Sequence, residues 1–437
     1  MSTVGVRQPD TVGRRSRGSD TQASGTDRFG QSLLVALYLS LLAGRFSLDR
    51  LGDGLPDFDL RWGALGLCGL GYAWWRTQHM TYGRRVTASP VAGFTWFVGW
   101  SGWLAVSALW APPGSRASDA VVDLVLLVAF AALTVATARR LPTGSLDVVW
   151  TCLVVTGALY LVGALVAGPG AQGRYAAFGG GPNVFVRVMI LAVLACFYLA
   201  IVKKRRLLLV AVPPLIVGSL LAGSRGGLVA LLAVALLFGR RLWRQLGRGL
   251  RHTLVFLAVL ALGAVAASGL RLSFDGVVYQ RIVDQTLEQG YDSGRTEILA
   301  GAVDLFTRFP VAGAGLDGYY GLVGQFAGYQ YPHNLVIATL AESGLVGGLL
   351  FLGALTVPFW TTVRAGLTAT RVFYLAAATL IGVASLFSGD YYDTRFLWFF
   401  LFLGAIEASS GRRAAADPQP GRTRRVDDRR RLAARGA

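Results

Sequence analysis

The chain has 437 residues, 54% hydrophobic and 15% charged, with a formal net charge of +18. Its apolar residues come in blocks of about 15 to 25, the length that crosses a hydrocarbon core of about 30 Å, so the composition excludes a soluble globular enzyme and describes a multi-pass membrane protein. The basic excess would suit a polynucleotide partner, but thirty of the 42 Lys and Arg fall in the two tails and in alternate connections between apolar blocks; the positive-inside rule accounts for them, and no nucleic acid is expected.

Residues 1–30 are polar and lack the apolar core of a signal peptide, and read as a disordered cytoplasmic tail. Twelve spans follow, near 31–48, 60–76, 91–110, 119–137, 148–167, 184–202, 207–223, 226–239, 253–270, 334–360, 373–388 and 396–410. Residues 411–437 form a second disordered, basic cytoplasmic tail. The expected fold is all-α: one polytopic membrane domain over 31–410 with about 12 transmembrane helices, both termini cytoplasmic, and one long outer loop at 271–332. Cys68, Cys152 and Cys196 lie inside spans, far apart and without metal-ligand spacing, which points to small core residues rather than a disulfide framework or a zinc site.

Three stretches depart from plain helices. Between Leu207 and Phe238 only "GSRGG" interrupts the apolar run, and basic clusters flank both ends, so the chain reads as a hairpin with Arg225 at its outer turn. Arg225 could snorkel to headgroups there or bind a ligand. The outer loop "GRYAAFGGGPN" carries Arg174 and Asn183, and the long loop holds "DSGRTEILAGAVDLF", an amphipathic helix with Ser293 as candidate N-cap and Arg295, Thr296 and Glu297 at its start. "GAGLDG", residues 313–318, matches a dinucleotide-binding pattern, but no strand precedes it, so its glycines are expected to shape a turn.

The third stretch is "YPHNLVIATLAESGLVG". A single helix over 334–360 would be about 40 Å long and overshoot the membrane, so a break is expected at "ESG", with the first piece ending near Gly344. His333 and Glu342 are nine residues apart, on opposite faces and about 13 Å apart along one straight helix, and cannot form a simple dyad. Of the three histidines, His79 and His252 fall in basic cytoplasmic segments, and only His333 faces outward. As a lone residue it fits a helix start or a catalyst.

"PHNLVIATLAESGLVGGLLFL", "SRGGLVALL", "GRTEILAGAVDLFTRFPVAGAGLDGYY" and "GRYAAFGGGPN", spanning residues 174–352, together resemble the O-antigen ligase and Wzy polymerase superfamily. The resemblance implies a class C glycosyltransferase-like membrane enzyme of the bacterial cell membrane that moves a glycan from an undecaprenyl diphosphate carrier to an acceptor hydroxyl at the outer face. It implies that His333 activates or positions the acceptor and that Arg225 and Arg295 hold the donor diphosphate. Arg174 is a further candidate for substrate contact. Asn334 either orients His333 or caps its helix, and Asp390 and Arg395 form a polar outer turn. The implied partners are the lipid-linked glycan, a glycan, lipid or protein acceptor, and membrane lipids. No cofactor is expected, and with no Asp-x-Asp pair or His/Cys cluster on the outer side, no metal either.

Some polymerases of this superfamily carry glycine eleven residues after a loop arginine. Here Phe185 follows Arg174 and Phe306 follows Arg295 at that spacing, which favours ligase over polymerase; the superfamily also contains protein O-oligosaccharyltransferases, which share this core and differ in acceptor. A lipid-linked glycan flippase is the rival of a different class. Coupled transporters need ionisable groups near the bilayer midplane, and here the charged outliers gather at outer ends, Glu342 being the ambiguous acid.

Overall fold

A computed structural model describes residues 15–51, 54–81, 91–170, 173–249, 251–252 and 294–416. The described residues are helical, with one isolated β-bridge between Ser47 and Asp59. The helices are α1 (Arg15–Ala43), α2 (Leu60–Thr81), α3 (Phe94–Ser107), α4 (Ala117–Ala138), α5 (Val148–Ala167), α6 (Pro182–Ile201), α7 (Val212–Leu221), α8 (Arg225–Gln245), α9 (Arg295–Arg308), α10 (Leu335–Arg364), α11 (Ala369–Ala384) and α12 (Arg395–Ala416). Helix α9 belongs to the expected outer loop, and the other eleven stand where spans were expected. The span expected at 253–270, and Ser293, lie outside the described residues.

By length and composition, five helical segments among the described residues can cross a membrane: α4, Gly144–Ala167, α6, α8 and α10. Helices α1, α2 and α12 carry polar or charged turns at one end, and the segment Arg206–Leu221 and α11 are shorter apolar helices. Two helices extend into the expected tails. Helix α1 begins at Arg15 and α12 runs to Ala416, inside segments expected to be disordered. Residues 15–43 contain no proline to stop the helix, and Phe29, midway along it, packs edge-to-face on Trp74 at 4.7 Å.

The core gathers around α6, α11 and α12, whose side chains are buried almost all round, as expected of helices with neighbours on every side. Trp150 of α5 stacks on Tyr198 of α6 at 4.6 Å and on Phe400 of α12 at 5.8 Å. Trp100 of α3 packs against Phe351 of α10 and Trp398 of α12. Cys68 and Cys196 are buried and Cys152 half-buried, all as free thiols.

Charge separates the two ends of the bundle. At one end Lys203 pairs with Asp147, and Arg371 with Glu407 at 2.5 Å. At the other, Arg45 beyond α1 reaches Asp123 on α4 and Asp390 between α11 and α12, at 2.5 and 2.6 Å. That second end also gathers the starts of α2, α4, α6, α8, α10 and α12, and it holds His333.

Candidate functional site

Helix α10 starts with its backbone donors fully assigned. Asn334 is extended, and its Oδ1 accepts from the N–H groups of Val336 and Ile337, both at 3.1 Å. Leu335 N–H donates to the Ser385 carbonyl at 3.0 Å, and Ala338 N–H to the Asn334 carbonyl at 2.8 Å. Of the two roles expected for Asn334, capping is therefore the one its side-chain oxygen performs. His333, one residue earlier, is driven to φ 55°, a left-handed conformation costing a non-glycine residue on the order of 1 kcal/mol. The surrounding bonds over-determine it. Its ring packs on Tyr331 at 4.3 Å, and burial followed by the nearby charge of Arg295 holds its pKa below the ordinary 6.5. The imidazole is thus kept neutral, the form that accepts a proton.

The expected break in α10 is present at Gly344, with φ 63° and ψ −163°. A break strands backbone groups, and the segment after α9 takes them up. Leu345 N–H donates to the Pro310 carbonyl at 2.8 Å and Val346 N–H to that of Val311 at 3.2 Å. The carbonyls of Ala341 and Glu342 accept from Ala314 and Gly315 at 2.9 and 3.0 Å, and that of Ser343 from Trp103 Nε1 at 2.9 Å. So close an approach requires glycine: a Cβ at Gly313 would lie 2.3 Å from the Glu342 backbone, and one at Gly344 2.2 Å from the Val311 oxygen. "GAGLDG" accordingly forms a tight turn, as expected, and ties α9 to α10.

Helix α9 buries Ile298, Ala302 and Leu305 against Ala314, Tyr319 and Ala341. Its N-cap is Gly294, at φ 73° and without a side-chain cap, in place of the expected Ser293; a glycine takes this conformation freely, so the cap needs no hydroxyl. Arg295 follows, half-buried, its guanidinium 5.9 Å from the centre of the Phe387 ring.

The hairpin turn before α8 is stitched to the loop before α6. Arg174 Nε donates to the Ala222 carbonyl at 2.9 Å, and its Nη2 reaches Asn183 Oδ1 at 3.4 Å. Ser224 Oγ donates to the same Asn183 oxygen at 2.8 Å and, as N-cap of α8, accepts from Gly227 N–H at 3.3 Å. Arg174 is thus half-buried and anchored rather than solvated, and Arg225 is half-buried at the first position of α8. Asn183, Ser224, the first turn of α8 and Arg295 line one narrow cleft.

The matched family covers most of these pieces, Arg174 and Asn183 lying before it. Residues 210–352 match the family model described as O-antigen ligase, a segment holding α8, α9, His333 and the break in α10. Over this segment the chain is similar to that family, which supports the resemblance to the O-antigen ligase and Wzy polymerase superfamily. No curated protein matches the chain. The description names an O-antigen ligase activity for the matched family.

Part of the candidate site falls outside the O-antigen ligase segment. Asp123 pairs with Arg45 and with buried Arg61, which also grips Asp59 at 2.5 Å. Asp390 takes Arg45, and burial followed by the charge of Asp393 pushes its pKa up. Arg395, expected as part of a polar turn, is 8% exposed and donates to the Leu41 carbonyl, locking α12 to the end of α1. Asp123 and Asp390, together with Tyr331, Asp317 and Glu342, line a small cavity of about 60 Å³ adjoining the His333 loop. Sequence reasoning missed Arg45, Arg61 and Asp123 as site neighbours, and the available signal was their position at apolar-run ends predicted to share one side.

A groove of about 440 Å³ runs between α10, α11 and α12, from Leu335, Val336 and Leu386 to Phe359 and Trp360. Its lining is almost wholly apolar, and it opens two residues beyond His333.

Proposed function

We propose that the protein transfers a glycan from an undecaprenyl diphosphate carrier to an acceptor hydroxyl at the outer face of the bacterial cell membrane, as an O-antigen ligase. The observation that carries this reading is the meeting of a neutral, half-buried His333 with Arg295 beside a cleft shared with the first turn of α8. The apolar groove opening at the same end supports a donor carried on a long hydrocarbon chain.

In the reaction, the acceptor oxygen forms a bond to the anomeric carbon while that carbon's bond to the phosphate oxygen breaks. The acceptor proton passes to the imidazole of His333, and the diphosphate leaves on its lipid with the bonding electron pair. Arg225 and Arg295 offer planar forks of donors that neutralise the charge developing on the leaving diphosphate, in the place a metal would otherwise take. Attack opposite the diphosphate inverts the anomeric centre. Arg174 steadies the donor loop and is a further contact for its phosphate or sugar.

Reconstitution in liposomes with an undecaprenyl diphosphate glycan and candidate acceptors tests the proposal. A product joined once to the acceptor is expected. Growth of the donor's own chain would mark a polymerase, and movement of the donor between leaflets without transfer would mark a flippase and overturn the reading.

A further inference from the structure

Arg187 occupies the second turn of α6, a helix otherwise lined with apolar residues, and is only 8% exposed. Its Nη2 donates to the Ser388 carbonyl at 2.6 Å, to Ser388 Oγ at 3.0 Å and to the Ala384 carbonyl at 3.1 Å. Those acceptors are neutral. None of the ion pairs among the described residues includes Arg187, because Asp393 on the neighbouring turn is taken by Arg395 at 3.4 Å and Arg45 at 4.0 Å. Among the described residues no hydrogen bond engages Nε or Nη1.

Asp393 and Asp390 lie near enough to favour its charge but are shared with Arg45 and Arg395, so among the described residues the buried guanidinium is only partly compensated, and an anionic ligand would complete it. Capping the last carbonyls of α11 would occupy one nitrogen and explain no more than that. The side chain lines the same cleft as Arg295, Ser224 and Asn183. The turn that it grips also receives Leu335 N–H at Ser385, so the cation and the start of the His333 helix are held to one piece of backbone. We infer that Arg187 is a further donor-binding residue, presenting its free edge to the diphosphate from within the bundle while Arg295 approaches from the loop. This rests on the undecaprenyl diphosphate reading.

The test measures binding to the full chain in nanodiscs, with undecaprenyl diphosphate, undecaprenol and phosphatidylglycerol as probes. Arg187→Gln is expected to weaken undecaprenyl diphosphate about 10- to 100-fold, the worth of one or two charge-assisted hydrogen bonds, and to leave undecaprenol unchanged. Arg187→Lys, which keeps the charge and an anchor for Ser388, should fold even where the glutamine variant does not, and should show a smaller loss confined to the diphosphate. Wild-type affinity for the diphosphate in the folded variants, even with a lowered melting temperature, would reduce Arg187 to a helix cap and overturn the inference. An equal loss for phosphatidylglycerol would make it a general headgroup site and overturn it too. Arg295→Gln separates the two levels. If it weakens the diphosphate and the Arg187 variants do not, only this inference falls; if the wild type prefers the diphosphate to undecaprenol not at all, the functional reading falls first.

Discussion

Tyr391 donates its hydroxyl to Glu342 Oε2 at 2.8 Å, joining the turn between α11 and α12 to the helical piece that starts just after His333. Both residues are buried, Glu342 at 4% exposure, and the carboxyl stands two residues before the break in α10. Tyr391→Phe removes one of the donors to that buried carboxyl, which also receives backbone N–H groups of Asp317 and Tyr319. The variant should lose about 1 to 3 kcal/mol of stability, read as a lowered melting temperature in detergent, while retaining donor binding.

His333→Ala should reduce transfer by about 10² to 10⁴, the usual contribution of a general base, with normal expression and donor binding. His252→Ala should change little, since its segment follows α8 at the opposite end from Arg225. A folded His333→Ala protein that transfers at the wild-type rate would leave the histidine as a helix-start residue and remove the mechanism.

The pH profile follows from the lowered pKa of His333. The neutral imidazole is the reactive form, so kcat/KM should be level near neutrality and fall on acidification with a midpoint below 6.5. Arg295→Gln removes a positive charge that disfavours the imidazolium, so the His333 titration should move upward. NMR of labelled histidine in a protein lacking His79 and His252 measures this without any need for activity. A downward or absent shift would contradict the electrostatic contact.

Arg225→Lys and Arg295→Lys should each impair transfer and weaken undecaprenyl diphosphate although the charge is kept, because an ammonium cannot reproduce a planar two-pronged contact. Unchanged affinity in both would detach these arginines from the diphosphate.

Sidedness can be tested with introduced thiols after Cys68, Cys152 and Cys196 are replaced. Ser224 in the GSRGG turn is buried at 5% exposure and hydrogen-bonded, so it would label poorly. Gly181 at the start of α6 and Gly144 before α5 have open space around an added Cβ. Gly181→Cys should react with an impermeant reagent from outside and Gly144→Cys only from the cytoplasm. The reverse pattern would invert the topology.

Much of the helical layout was legible because apolar run length and the basic connections are one-dimensional signals. The break at Gly344 was legible from length alone, and the Asn334 cap from a short polar residue before an apolar run. The Gly294 cap was less so, since a helix start accepts either a hydroxyl or a left-handed glycine and the sequence offered both in succession. Arg187 escaped notice for a different reason: in "NVFVRVMIL" it reads as one charge inside an apolar span, and only packing α6 against the end of α11 reveals its partners. The pairing of Arg45 with Asp123 and Asp390 joins residues up to 345 positions apart, a relationship no local pattern encodes. Twelve crossings were expected where five segments among the described residues meet a simple length and hydropathy test; α1, α2 and α12 mix polar ends with apolar middles, which such a test averages away.

The four main-chain bonds that link residues 310–315 to the broken part of α10 also set a rule for how this chain can vary. Because each donor and acceptor on one strand of backbone is matched to a particular group on the other, the two segments share a register, much as the teeth of a rack and pinion do. Inserting or deleting a single residue between Arg308 and Gly315 would advance that register by one tooth and displace Arg295 relative to His333. Length changes in this protein should therefore accumulate in other connections, while this short stretch keeps its count.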